Sequence, residues 1–109
     1  MQYMLIICHD DSFVPPDEIE PETVAWVDEM TRRGVRTMGS RLRPVTDATT
    51  VRVRDGEALF TDGPFAETAE QIAGFDLLEC ADLDEALEAA AKHPMARLGT
   101  VEVRPLWTV

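Results

Sequence analysis

The run Thr49-Thr50-Val51-Arg52-Val53-Arg54-Asp55-Gly56-Glu57-Ala58-Leu59-Phe60-Thr61 limits the fold more than any other part of the chain. Two alternating segments flank Asp55-Gly56, a two-residue connection whose backbone needs positive φ, so the segment predicts a β-hairpin. The turn also sets the register, with Arg54 opposite Glu57, Val53 opposite Ala58, Arg52 opposite Leu59 and Val51 opposite Phe60. One face of the hairpin is then Val51, Val53, Ala58 and Phe60, and the other is Arg52, Arg54, Glu57 and Leu59.

The elements around the hairpin follow from periodicity and from turn residues. Tyr3 to Cys8 is apolar without polar alternation, as in a central strand covered on both faces. After Pro15-Pro16, the segment from Glu22 to Arg33 predicts a helix, with Pro21 in its first turn and Gly34 closing it beyond Arg32-Arg33. Its apolar stripe is Val24 and Val27, with Trp26 and Met30 at i,i+4. Val35 to Arg43 predicts a strand with Met38 and Leu42 on one face and Arg41 and Arg43 on the other. Downstream of the hairpin, Ile72 to Cys80 is another apolar strand. Asp82-Leu83-Asp84-Glu85 then opens a helix with Leu83, Ala86, Leu87 and Ala90 as its buried stripe, which Pro94 ends. In the last strand Val101 and Val103 point inward and Glu102 and Arg104 outward.

Strand, helix, strand, hairpin, strand, helix, strand is an α+β order: a ferredoxin-like β-α-β-β-α-β plan with an inserted β-hairpin. At 109 residues the chain is expected to be one domain, residues 1–109, with one core. Right-handed crossovers put both helices on one face of the sheet. The central strands are too apolar for the other face to meet water, so a second subunit is the expected cover and the chain is expected to be a homodimer. Taking the first strand and the Ile72 to Cys80 strand as parallel neighbours would bring Cys8 and Cys80 near the same sheet edge.

Composition narrows the function classes. The formal charge is −11, and nucleic-acid binding draws its affinity from clustered Lys and Arg, so neither nucleic acid nor an anionic membrane is an expected partner. The charge is segregated: Asp10 to Glu29 holds eight acids and no Lys or Arg, whereas Arg32 to Arg54 holds seven arginines against Asp47 alone. Solvated faces that complement each other explain such runs more often than an anion site does. No apolar run approaches the length of a spanning helix, and the opening lacks a basic leader, which points to the cytoplasm. Cys8 and Cys80 lie in apolar runs and read as buried, reduced thiols, so no metal site and no cofactor is expected.

The run from Thr49 to Pro94, followed by Gly99-Thr100-Val101-Glu102-Val103-Arg104-Pro105-Leu106-Trp107, closely resembles the YCII-related proteins of the DGPF subgroup, named for the tetrapeptide Asp62-Gly63-Pro64-Phe65. The likeness covers nearly the whole chain. It implies a dimeric α/β barrel similar to muconolactone-isomerase-like enzymes and small-molecule-handling oxygenases. It also implies a regulatory alternative, because some such proteins are encoded near, or fused to, extracytoplasmic-function sigma factors. Better-studied YCII relatives carry a histidine on the first helix proposed to pair with an aspartate. Here Thr23 stands at about that place, and the Asp-Pro that often ends the second helix is His93-Pro94. That dyad does not carry over.

Two readings stay open: a small organic molecule bound or transformed in a pocket, and a noncatalytic regulatory module. For the first, the candidate catalytic residues are His9, at the end of the first strand beside Asp10 and Asp11, and Asp62. Asp62, Gly63, Pro64 and Phe65 form the motif, and Arg52 and Trp26 are candidate pocket residues. Each has a plainer explanation: His9 as an exposed loop residue, His93 as a cation favoured at a helix C-terminus, Trp26 and Trp107 as core packing. In the DGPF turn Asp62 is expected to cap the N–H of Phe65 or Ala66, with Gly63 supplying an unusual backbone angle and Phe65 plugging into the core.

Overall fold

In the computed structural model, residues 1–66 and 68–108 are described. Six strands and three helices follow in the order β1 (Gln2–His9), α1 (Ile19–Arg32), β2 (Arg36–Arg41), β3 (Thr49–Arg54), β4 (Glu57–Asp62), β5 (Gln71–Glu79), α2 (Leu83–Lys92), α3 (Pro94–Leu98) and β6 (Thr100–Pro105). Four strands form one sheet in the order β2-β5-β1-β6, and β3 and β4 pair only with each other. The architecture is mixed α+β and compatible with a ferredoxin-like fold.

Every neighbouring pair in the four-stranded sheet is antiparallel. The expectation of a parallel β1 and β5 is therefore corrected, and the reason lies in the crossover. Helix α1 returns the chain so that β2 runs parallel to β1 but leaves a gap between them, and β5 fills the gap antiparallel to both. Cys8 pairs with Ile72 at one end of β5, while the Cys80 N–H bonds to the Met1 carbonyl at the other. The two cysteines thus lie at opposite ends of the sheet, both free, with burial pushing each thiol above its usual range.

Alternation along β1 and β5 decides where the core sits. Tyr3, Leu5, Ile7 and Leu78 face the helices and are buried, and Trp26, Met30, Ala86, Ala89, Ala90 and Met95 meet them from the other side. Each large side chain buried there contributes about 1.5–3 kcal/mol. Helix α1 ends as the sequence suggests, with the Gly34 N–H on the Thr31 carbonyl and the Val35 N–H on the Met30 carbonyl, a doubly bonded Schellman end. Of its expected stripe, Trp26 and Met30 are buried and Val27 packs against the core, whereas Val24 is exposed.

Helix α2 is capped by Asp82, which accepts the Glu85 N–H at 3.0 Å. Its buried stripe is Ala86, Ala89 and Ala90, whereas Leu83 and Leu87 are each 46% exposed, which corrects the expected stripe. Alanines let the helix approach closely enough for the Trp26 indole N–H to reach the Ala89 carbonyl at 2.8 Å. That carbonyl belongs to the last helical turn, where the His93 N–H bonds to the Ala90 carbonyl instead.

The hairpin register matches the expectation at all four pairs, Val51 to Phe60 through Arg54 to Glu57. Its surroundings differ from a sheet insertion. Val51, Val53, Leu59 and Phe60 are exposed, so the hairpin stands out from the domain as an arm. The radius of gyration is accordingly 15.9 Å, against about 13 Å for a compact domain of this length. No helix among the described residues is long and apolar enough to cross a membrane.

Candidate functional site

Where α1 diverges from the ends of β1, β2 and β5, a cleft of about 720 Å³ opens on the helix side of the sheet. Its apolar wall includes Ile7, Phe13, Ile19, Val27 and Met95. Three polar side chains from distant parts of the sequence converge at its floor: Arg36 from β2, Asp76 from β5 and His93 from the α2–α3 junction. Such a size and such a mixture of apolar wall with few polar groups are usual for small-molecule sites.

Asp76 interrupts an apolar strand and points to the helix side, where it is only 6% exposed. A carboxylate there needs a partner, and the Arg36 Nε donates to its Oδ1 at 2.7 Å. Burial raises the Asp76 carboxyl above its ordinary range, and Arg36 opposes the rise. Gly39 makes the pair fit. A Cβ at that position would collide with Asp76 Oδ1 and lie 2.6 Å from Arg36 Nη2.

His93 is 5% exposed. Its Nδ1 accepts the Met95 N–H at 3.0 Å and caps α3, and its ring meets Trp26 edge-on with centroids 4.6 Å apart. Burial, reinforced by the Arg36 charge, pushes its pKa down to about 4, so the ring is neutral at neutral pH. Because Nδ1 is the acceptor, the proton sits on Nε2. Among the described residues Nε2 has no hydrogen-bond partner, yet no unpartnered side-chain nitrogen or oxygen is sealed from solvent. His93 lines the cleft, and its Nε2 keeps contact with solvent. His93 was assigned above only a cation's place at a helix end; the structure makes it a buried, neutral donor.

The residues singled out from sequence separate into two places. His9 lines the cleft, with its ring stacked on Phe13 at 4.7 Å and its Nδ1 3.0 Å from the Asp10 carbonyl oxygen. Trp26 lies behind His93 and orients it. Arg52 and Asp62 are exposed on the hairpin and do not line the cleft. In the DGPF turn, Gly63 has φ of +92°, as its glycine suggests. Its N–H donates to the Ala48 carbonyl at 2.7 Å and its carbonyl accepts from Thr50 Oγ1 at 2.8 Å, which ties the turn to the base of the hairpin. The expected cap from Asp62 to Phe65 or Ala66 is not among the hydrogen bonds of the described residues, and these residues form no helical turn. Phe65 does not plug into the core either: it is 77% exposed. Pro64 has no N–H to contribute, and the Gly63 contacts hold the turn.

Sequence reading missed Arg36, Asp76 and His93 as a group. A signal existed for one of them, since Asp76 is a lone acid within Ile72-Ala73-Gly74-Phe75-Asp76-Leu77-Leu78. Among the described residues no cluster of three His, Cys, Asp or Glu is placed to hold a metal ion.

An uncharacterised protein of Rhizobium meliloti strain 1021 is 38% identical over 118 residues, an alignment covering 93% of this chain and 89% of that protein. The YCII-related domain matches residues 1–109. The chain belongs to the YCII-related domain family.

Proposed function

We propose that this chain binds or transforms a small organic molecule in the cleft between α1 and the sheet, as one subunit of a dimeric α/β barrel of the DGPF subgroup. The observation that carries this reading is the convergence of Arg36, Asp76 and His93 at the floor of an otherwise apolar cleft of about 720 Å³. A domain with no ligand to hold has little reason to keep a buried ion pair and a buried imidazole donor beside a cavity. His9, stacked on Phe13, is the proposed catalytic side chain at the cleft. Asp62 joins the chemistry where the hairpin arm of one subunit reaches the cleft of another.

Support for the dimer comes from the sheet's second face. Met4, Ile6, Phe75 and Leu77 alternate away from the helices and are only half-buried, and no element among the described residues covers them. Apolar residues in a continuous patch of that kind mark an interface. A noncatalytic module tied to an extracytoplasmic-function sigma factor is the second reading, favoured by the exposed Val51, Val53 and Phe60 of the arm.

A thermal-shift screen with small aromatic and carboxylate compounds tests the first reading, because a ligand selective for the folded state raises the melting temperature. Compounds that stabilise wild type and lose their effect when Thr23→Trp fills the cleft support it. A screen in which every hit stabilises the filled variant equally well overturns it.

A further inference from the structure

Two of the three polar side chains at the floor of the cleft, His93 and Arg36, present donors. His93 Nε2–H is a donor without a partner among the described residues, and so are the Nη groups of Arg36, whose Nε alone is recorded bonding to Asp76. A guanidinium has five N–H bonds to place, and one carboxylate oxygen takes only one of them here. Farther out, Arg41 lines the cleft and is exposed. On the acceptor side stand Asp76, whose Oδ1 takes the Arg36 Nε–H, and Glu20, exposed on the first turn of α1.

We propose that the cleft selects a small organic carboxylate, with its anionic head between His93 Nε2–H and the Arg36 guanidinium and its apolar body against Phe13, Ile19 and Val27. The proposal rests on the reading of the cleft as a small-molecule site and names the chemistry of its ligand. A carboxylate supplies acceptors to the donors of His93 and Arg36, and guanidinium bonds to carboxylate are charge-assisted and planar. An alcohol or an amide has one acceptor oxygen at most and brings hydrogens toward groups that already carry them. A protonated amine has no lone pair to offer the His93 and Arg36 donors. The rigid placement of the imidazole, capped onto α3 through Nδ1 and held edge-on by Trp26, means the donor is oriented before any ligand arrives.

The test uses the full chain labelled with ¹⁵N-histidine and a panel of benzoate, phenylacetate and salicylate, each paired with its primary amide. Carboxylates are expected to move the His93 Nε2 resonance and to bind at least tenfold more tightly than the matching amides. In the double variant Arg36→Met with Asp76→Leu, which removes the pair together so that neither charge is left buried alone, that preference disappears. In His93→Asn, whose side-chain oxygen still caps α3, carboxylate binding weakens while the fold persists. Equal binding of carboxylates and amides, with His9 or His93 signals moving for both, overturns the carboxylate inference and leaves the small-molecule reading standing. Histidine signals that stay still across the whole panel at millimolar concentration overturn both.

Discussion

Gly39→Ala tests the ion pair at the floor of the cleft. An added Cβ would collide with Asp76 Oδ1 and lie 2.6 Å from Arg36 Nη2 and 2.7 Å from the Phe75 carbonyl oxygen. The first two atoms end side chains and are able to rotate away, but only by parting a pair held at 2.7 Å in a nearly buried site. The third is backbone in β5, fixed by pairing with β1 and β2 on either side. Overpacking alone costs about 1–3 kcal/mol. Parting a buried pair adds to this, since leaving one charge uncompensated costs about 3–5 kcal/mol. A total of about 4 kcal/mol or above is expected, read as a lower urea midpoint at unchanged slope. The melting temperature should fall by about 4–8 °C for each kcal/mol lost. A double-mutant cycle isolates the cause. In an Asp76→Ala background the main collision is gone, so the same glycine change should cost markedly less, and the two effects are not additive. Additive costs, or a Gly39→Ala protein as stable as wild type, would refute the steric argument.

Three further outcomes are expected. The His93 pKa is lowered from 6.5 to about 4 in the fold, so the unfolded chain takes up its proton first as pH falls. Its contribution is full above about pH 6.5 and is lost toward pH 4, by up to about 3 kcal/mol. Asp76, raised by its own burial, works in the opposite sense, so urea melts must compare wild type with His93→Gln, and identical pH profiles would contradict a buried neutral imidazole. Light scattering at micromolar concentration should give twice the 12.2 kDa chain mass, and a monomer would overturn the reading of the sheet's uncovered face. Asp62→Ala, which removes no recorded side-chain hydrogen bond, should leave stability within about 0.5 kcal/mol of wild type, as exposed positions usually do; a larger loss in urea would restore the capping role.

What the sequence made legible was whatever local rules decide. Asp55-Gly56 sets the hairpin register because two residues must adopt positive φ, and nothing distant is able to alter that. The Gly34 end of α1, the Asp82 cap of α2 and the inward Val101 and Val103 are local in the same way. Errors came where two distant segments had to be placed together. Leu83 and Leu87 outrank alanine on any hydrophobicity scale, but the space between α2 and the sheet admits only Ala86, Ala89 and Ala90. Phe65 looks like a core residue until the arm on which it depends turns out to stand away from the core. His93 reads from sequence as a residue of its own helix end, whereas its state is set by burial, against a Trp26 ring 67 positions earlier, and by the Arg36 charge.

The same distinction explains why the most recognisable motif and the most chemically suited cavity do not coincide. Asp62-Gly63-Pro64-Phe65 is conspicuous because its residues are adjacent, and adjacency serves a turn: Gly63 bonds to Ala48 and Thr50 and closes the base of the hairpin. Arg36, Asp76 and His93 are inconspicuous because each comes from a different element. They meet because the split crossover sets β2 beside β5, with no third strand between Arg36 and Asp76, and because α3 begins beneath that pair. Once an acid sits on the inner face of β5, an arginine on β2 is the neighbouring partner, and a glycine at position 39 makes the room. Burial, reinforced by the arginine's charge, then keeps the nearby imidazole in its neutral form beside the cleft. The floor of the cleft thus follows stepwise from one buried carboxylate, and each step depends on the strand order rather than on any run of consecutive residues.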